Sequence, residues 1–298
     1  MRLAALLLVV GLTAGCTGEP KASPPSPTSP APSPPSSAPS SVVPQHEIGP
    51  RGKVVAALVR SERRTTSEAA ARAQQVAYRT WSDHPGWDRS VLRALPAGLR
   101  PLARDTVAAR RALRSIYPSS DGALPHELPA WRIDPPDPLA DLLADYHLAE
   151  RRTGVDWATL AAINFVETDF GRITGTSDAG AQGPMQFIPA TWEAYGDGGD
   201  IHDPHDAILG AGRLLAANGF ADHPQEALHH YNDSDGYVRA ITLLAGIIRT
   251  HPRELTAYHS WQVYFLTSRG PILLPEGYDE ARPVPVGRWL RTHRGSGG

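Results

Sequence analysis

One cysteine, Cys16, is all that this chain of 298 residues contains. No disulfide can therefore form within it, and a folded domain must rest on its own apolar core. Long apolar runs are equally scarce. Leu3 to Leu12 is the one sustained stretch, and it is well short of the ~20 residues a transmembrane helix needs. Nothing after Cys16 is long and apolar enough to cross a bilayer, so the remainder is expected on a single side of the membrane. Neither sign of charge dominates, with 29 basic and 31 acidic residues. No internal repeat is found. The histidines at 202, 205, 223, 229 and 230 show no tight zinc-site spacing with a clear third ligand. Asp197-Gly198-Gly199-Asp200 lacks the spacing and closing Glu of a calcium loop. No metal site is expected.

The residues that are present begin with an export signal. Met1-Arg2 gives a short positive start, the apolar run follows, and small residues lead to Cys16. Leu12-Thr13-Ala14-Gly15-Cys16 resembles a bacterial lipobox, with Thr13 where Leu is usual. That resemblance implies removal of residues 1–15 and lipidation of Cys16, which would anchor the protein to the outer face of the cytoplasmic membrane, facing the wall. The other reading is an ordinary signal peptide cut nearby, with Cys16 incidental. Lipidation is preferred because it accounts for a lone cysteine placed just after the apolar run. Residues 16–50 are then a linker. From Glu19 to Pro50 the chain is mostly Pro and Ser, cannot bury a core, and when extended reaches on the order of 100 Å. An exported protein has no use for nucleic acid as a partner.

The near-neutral total hides an uneven distribution. Residues 51–114 hold 14 Arg or Lys against 5 Asp or Glu. A basic segment of this kind suits an anionic partner, such as a wall polymer or lipid headgroups, or is simply a solvated helix face. Ala, Arg and Leu at helical spacing predict two or three helices over 51–117, punctuated by Pro85, Pro96 and Pro101. Residues 118–136 turn Pro-rich and read as a connector, so residues 51–136 form a basic helical segment with its connector. Residues 137–298 form a further, mainly α-helical domain. Helices are expected over Pro138 to Thr153, closed by Gly154, and from an Asp156 cap to about Thr168. More follow over Pro189 to Tyr195, from Asp203-Pro204 to Asn218-Gly219, over His223 to Tyr231 and over Asp235 to Arg249. Gln262 to Thr267 and Pro271 to Leu274 flank Ser-Arg-Gly as a β-hairpin, and the tail after Arg291 reads as loose.

Chemistry enters at Glu167. On a helix starting at Asp156, Leu160, Ile163, Asn164 and Glu167 share the core-facing side. Val166 and Phe170 add apolar surroundings. Burial disfavours the charged form of a carboxyl group, which suits a general acid at neutral pH. A Gly-rich loop follows and leads to Gly183-Pro184-Met185-Gln186-Phe187. Its glycines let backbone approach a ligand closely, and Gln186 offers donor and acceptor groups suited to sugar acetamides and hydroxyls. The third element is His230-Tyr231-Asn232, where a buried Tyr231 is placed to aim its hydroxyl at the carboxyl group.

Glu-Thr-Asp-Phe-Gly, then Gly-Ala-Gln-Gly-Pro-Met-Gln-Phe-Ile-Pro-Ala-Thr, then Tyr-Asn together resemble the lytic murein transglycosylase family, with its lysozyme-like helical fold. The resemblance covers about residues 138–250. It implies that Glu167 is the catalytic acid, that Met185 and Gln186 line the sugar groove, and that Tyr231 and Asn232 stand beside the catalytic carboxyl. Departures are Thr168 for the common Ser, Pro184 for a bulkier apolar residue and His230 for Ala. By the same resemblance the substrate is the glycan strand of peptidoglycan, cleaved between N-acetylmuramic acid and N-acetylglucosamine with formation of 1,6-anhydro ends, and no metal or cofactor takes part. Two alternatives stand beside it: a muramidase on the same fold, and an inactive wall-binding lipoprotein. Asp169 or Asp178 would serve as the second carboxylate of a hydrolase. Their preferred readings are an exposed helix end and a loop stabiliser, respectively. Trp157, Trp192 and Tyr195 read as core residues before sugar platforms.

Overall fold

A computed structural model describes residues 51–63, 67–117 and 124–293. The signal over 1–15, Cys16 and the Pro/Ser linker to residue 50 lie outside the described residues. The fold is mainly α, with small antiparallel strand pairs. The N-terminal part forms four α-helices, α1 (Arg51–Arg63), α2 (Glu68–Ser82), α3 (Asp88–Ala94) and α4 (Arg100–Arg114). The proline spacing predicted two or three. Pro101 opens α4 rather than breaking it, because the N–H a proline lacks would be unpaired in a first turn anyway.

The chain continues through β1 (Glu127–Leu128) and β2 (Arg132–Ile133) to α5 (Leu139–Thr153), α6 (Trp157–Thr168), β3 (Ile173–Thr174), α7 (Pro189–Tyr195), α8 (Pro204–Ala217), α9 (Pro224–Tyr231) and α10 (Asp235–Thr250). Left-handed Gly154 closes α5 at φ 76°. Asp203 caps α8 by accepting from the Asp206 N–H at 3.1 Å. The cap expected of Asp156 is not made. Its carboxylate instead accepts from the Thr159 hydroxyl at 3.1 Å and the Arg249 guanidinium at 2.9 Å. The sequence reading missed α11 (Pro252–His259), whose proline at the first turn repeats the device that opens α7, α8 and α9. It also missed α12 (Val286–Thr292).

The expected hairpin is present as β4 (Val263–Thr267) and β5 (Gly270–Leu274), in register from Val263↔Leu274 to Thr267↔Gly270. Residues of the connector are tied down as well. β1 pairs with β6 (Val284–Pro285), and β2 pairs with β3. Two apolar clusters result. The larger runs from Val54 to Trp261, and the smaller joins Leu128, Trp131 and Ile133 to the hairpin and α12. Residues on both sides of position 136 contribute to each cluster. α10 packs most extensively against α4, so the basic helices buttress the part of the molecule that carries the motifs. No helix among the described residues is long and apolar enough to cross a membrane.

Candidate active site

The sequence predicts that one side of α6 faces the core. The structure buries nearly all of it: residues 158 to 164, Glu167 and Thr168 are enclosed where α6 packs against α5, α8 and α10. A helix apolar on all sides belongs at the centre of a fold, and that position carries Glu167 inside with 1 % of its surface exposed. The Tyr237 hydroxyl donates to its Oε1 at 2.8 Å. Its Oε2 is buried and has no hydrogen-bond partner. Burial raises the Glu167 carboxyl well above its ordinary value of 4.5, against a smaller downward pull from the Tyr237 hydrogen bond. Burial thus favours the protonated form of the group, and Oε2 is the oxygen that accepts no hydrogen bond.

Tyr231 is not the residue that holds this carboxyl. Its hydroxyl donates to the Met185 carbonyl at 2.6 Å. Its ring lies parallel to that of Tyr237, with centroids 6.3 Å apart and planes 5° from coincidence. Burial, and after it the nearby Glu167 charge, raise both phenols well above 10, so both remain hydrogen-bond donors. Sequence reasoning missed Tyr237. The signal was present in Ser234, whose side chain accepts from the Tyr237 N–H at 3.4 Å and so starts α10. From there Tyr237 stands in line with the buried stripe Ile241, Leu244 and Ile248. Asn232 is 7 % exposed, and its carbonyl accepts from the Ser234 N–H at 2.8 Å, which fixes the turn into α10.

The Gly-rich loop is latched onto α6. The Pro184 carbonyl accepts from the Thr168 hydroxyl at 2.7 Å and from the Asn164 amide at 3.0 Å, on the turns that carry Glu167. Thr168 in place of Ser therefore keeps the hydroxyl the latch uses. Gly183 has φ 72°, and a Cβ there would lie 1.8 Å from the Ile201 carbonyl oxygen, so only glycine fits. Gln182 and Phe187 exchange backbone hydrogen bonds of 2.9 Å and close the loop. Met185 and Gln186, which the resemblance places along the sugar groove, are 0 % and 1 % exposed and form the inner side of the loop. Gln186 adopts φ 50°. Its amide donates to the Gly183 carbonyl at 3.0 Å, while its Oε1 is buried and unpartnered. Strained backbone and unpaired polar atoms persist where the surroundings enforce them, and they concentrate at functional sites.

Two secondary expectations need correction. Asp169 is not exposed. It is 8 % exposed in a left-handed conformation of φ 55°, and burial pushes its carboxyl up to about 7 despite nearby Arg172. Asp178 is exposed, and its side chain makes no hydrogen bond within the loop. Ser177 braces the loop instead, with its Oγ accepting from the Ala181 N–H at 3.0 Å. Outside the latch lies a groove of about 430 Å³ lined by Gly171, Gly183 and Pro184 together with Asp137, Thr174 and Thr176. The outer face of the loop thus borders open space while its inner face rests on the turns bearing Glu167. Among the described residues, no group of three His, Cys, Asp or Glu side chains is arranged to hold a metal ion.

No family model matches the chain, and no solved structure matches it. A membrane-bound lytic murein transglycosylase F of Thiobacillus denitrificans is similar, at 29 % identity over 136 residues. The aligned region is 46 % of this chain and 28 % of that protein, so the chain spans less than a third of that relative's length. The similarity supports a distant relationship to lytic murein transglycosylases over part of the chain.

Proposed function

We propose that this protein is a peptidoglycan lytic transglycosylase in which Glu167 acts first as acid and then as base. The observation that carries the reading is the state of that carboxyl: enclosed, held through Oε1 by the Tyr237 hydroxyl, and unpartnered at Oε2. Glu167 donates its proton to the glycosidic oxygen as the bond from C1 of N-acetylmuramic acid breaks. The resulting carboxylate takes the proton of the C6 hydroxyl, whose oxygen bonds to C1. A 1,6-anhydro ring forms, no water is consumed, and Glu167 is again an acid. A hydrolase of the ordinary kind pairs two carboxyl groups at the bond. The raised Glu167 carboxyl owes nothing to a neighbouring carboxylate, since burial drives it and only Tyr237 opposes it. The preference for the lyase over the muramidase follows the similarity to a lytic murein transglycosylase.

The groove beside Gly171 and Pro184 is the space proposed for the glycan strand, within a lysozyme-like domain spanning residues 137–298. Met185 and Gln186, on the inner side of the loop, and Tyr231 and Asn232 beneath it shape the site. A lipid on Cys16 and the linker to residue 50 would hold the enzyme at the outer face of the membrane. The basic segment over 51–136 would face an anionic wall polymer.

Purified peptidoglycan digested with wild type and with Glu167→Gln, and analysed by mass spectrometry, tests the proposal. Wild type is expected to release anhydro-muramyl ends, and the variant to lose at least ~10²-fold in rate. Reducing ends would establish a muramidase instead. Equal wall binding by both proteins with no product from either would establish a scaffold.

A further inference from the structure

Three consecutive residues just after the turn of Glu167 are left-handed. Asp169, Phe170 and Gly171 take φ of 55°, 64° and 80°. Glycine adopts this conformation freely, whereas a side chain makes it costly. Asp169 adds a buried Oδ1 that has no hydrogen-bond partner. A turn of this kind persists only where its surroundings over-determine it.

The turn lies at the seam between the two apolar clusters. Phe170 belongs to the larger, stacked on Phe165 with centroids 5.2 Å apart, while Ile173 packs against the smaller. Arg172 stands between them, 7 % exposed. One of its terminal nitrogens donates to the Glu276 carboxylate at 2.5 Å, and the other to the His259 carbonyl at 2.9 Å. His259 ends α11, between Tyr258 and Trp261 of the larger cluster. Glu276 follows β5, between Leu274 and Tyr278 of the smaller. The His259 side chain extends the brace. Its Nε2 donates to the Asp137 carbonyl at 2.8 Å, and its ring centroid lies 5.6 Å from that of Phe170. The Asp137 carboxylate comes back to the turn, with Oδ2 3.6 Å from where a Cβ on Gly171 would stand. Asp137 and Gly171 both line the groove.

We propose that Arg172 is a positioning residue: by joining His259 to Glu276 it fixes the seam between the clusters, and with it the groove wall formed by Asp137 and Gly171. The inference rests on the reading of that groove as the glycan site. A guanidinium fork holds two acceptors at a set spacing, which a lysine ammonium on its flexible stem does not. Glu167 has supports of its own, in the enclosure of α6 and the Tyr237 hydroxyl. Loosening the seam therefore changes how the glycan is held, and not the acid that acts on it.

Steady-state digestion of soluble, un-cross-linked glycan strands by wild type, Arg172→Gln, Arg172→Lys and Glu276→Gln tests the proposal, with unfolding followed by circular dichroism in parallel. KM, unlike apparent turnover, does not depend on the fraction of the sample that is folded. Arg172→Gln is expected to raise KM at least ~5-fold while kcat per folded molecule falls less than ~2-fold, which marks lost binding and intact chemistry. Arg172→Lys serves one acceptor at a time and should raise KM by less. The Glu276 side chain is 51 % exposed, so Glu276→Gln folds with little disturbance, and it is expected to raise KM ~2-fold. If Arg172→Gln does not fold, the other two variants decide by the same criterion. A wild-type KM in every folded variant, with only stability reduced, would overturn the proposal and leave the glycan reading intact. A loss confined to kcat would also overturn it, because Arg172 would then be holding Glu167 and not the groove wall. A wild type that cleaves no glycan would overturn the groove assignment and this inference together.

Discussion

At Glu167 the two carboxyl oxygens differ, and the difference is chemical. Oε1 receives the Tyr237 hydroxyl and Oε2 receives nothing. The hydrogen bond favours the ionised form, while burial opposes it more strongly. Removing the hydroxyl with Tyr237→Phe should therefore move the carboxyl further up, not down. The acid form then persists to higher pH, and the alkaline limb of the kcat/KM profile is expected to shift upward by up to ~1 pH unit, the equivalent of one hydrogen bond. Turnover measured against pH for both proteins reads this directly. Tyr231→Phe, which releases the Met185 carbonyl instead, should leave the limb in place. The burial of Glu167 was legible from the sequence, because it shares the core-facing side of an apolar helix with Leu160, Ile163 and Asn164. The identity of its partner was not. Tyr231 and Tyr237 are both buried phenols near the carboxyl, and helical spacing does not reveal that one hydroxyl reaches the Met185 carbonyl and the other Glu167.

Among elements, α10 has the most demanding position, because it bears Tyr237 and packs on α4. Gly236 makes that approach possible. A Cβ there would meet the Ala112 carbonyl oxygen at 2.7 Å and Ser115 Oγ at 2.9 Å. Gly236→Ala should force the start of α10 away from α4, destabilise the protein by ~1–3 kcal/mol, and lower activity by displacing Tyr237. Gly246→Ala on the same helix meets nothing within 4 Å and is expected to stabilise by ~0.5–1 kcal/mol through helix propensity alone. Urea unfolding of the two variants checks both signs. The helices were mostly legible because caps and first-turn prolines mark their ends. α11 was missed because its Pro252 follows α10 so closely that the pair reads as one helix with its end. The burial of Asp169 was invisible for a different reason: its left-handed turn at the end of α6 tucks an acid inward where helical spacing predicts solvent.

Over the whole molecule, the enclosure of Glu167 is a joint product of helices from both sides of residue 136. α6 lies against α10, and α10 against α4, in one continuous core. That enclosure has a thermodynamic signature. The folded chain holds a proton on Glu167 that the unfolded chain releases above about 4.5, so folded protein binds more protons and loses stability as pH rises. A glutamine at this position has no proton to hold. The measurement that tests the account most directly is the unfolding free energy of wild type and Glu167→Gln from pH 4 to 8. The account predicts that the variant's advantage grows by ~1.4 kcal/mol per pH unit above the unfolded carboxyl value, levelling off once the folded carboxyl itself ionises. A difference that stays constant across this range would mean that Glu167 ionises like an exposed carboxyl, and the account would be contradicted.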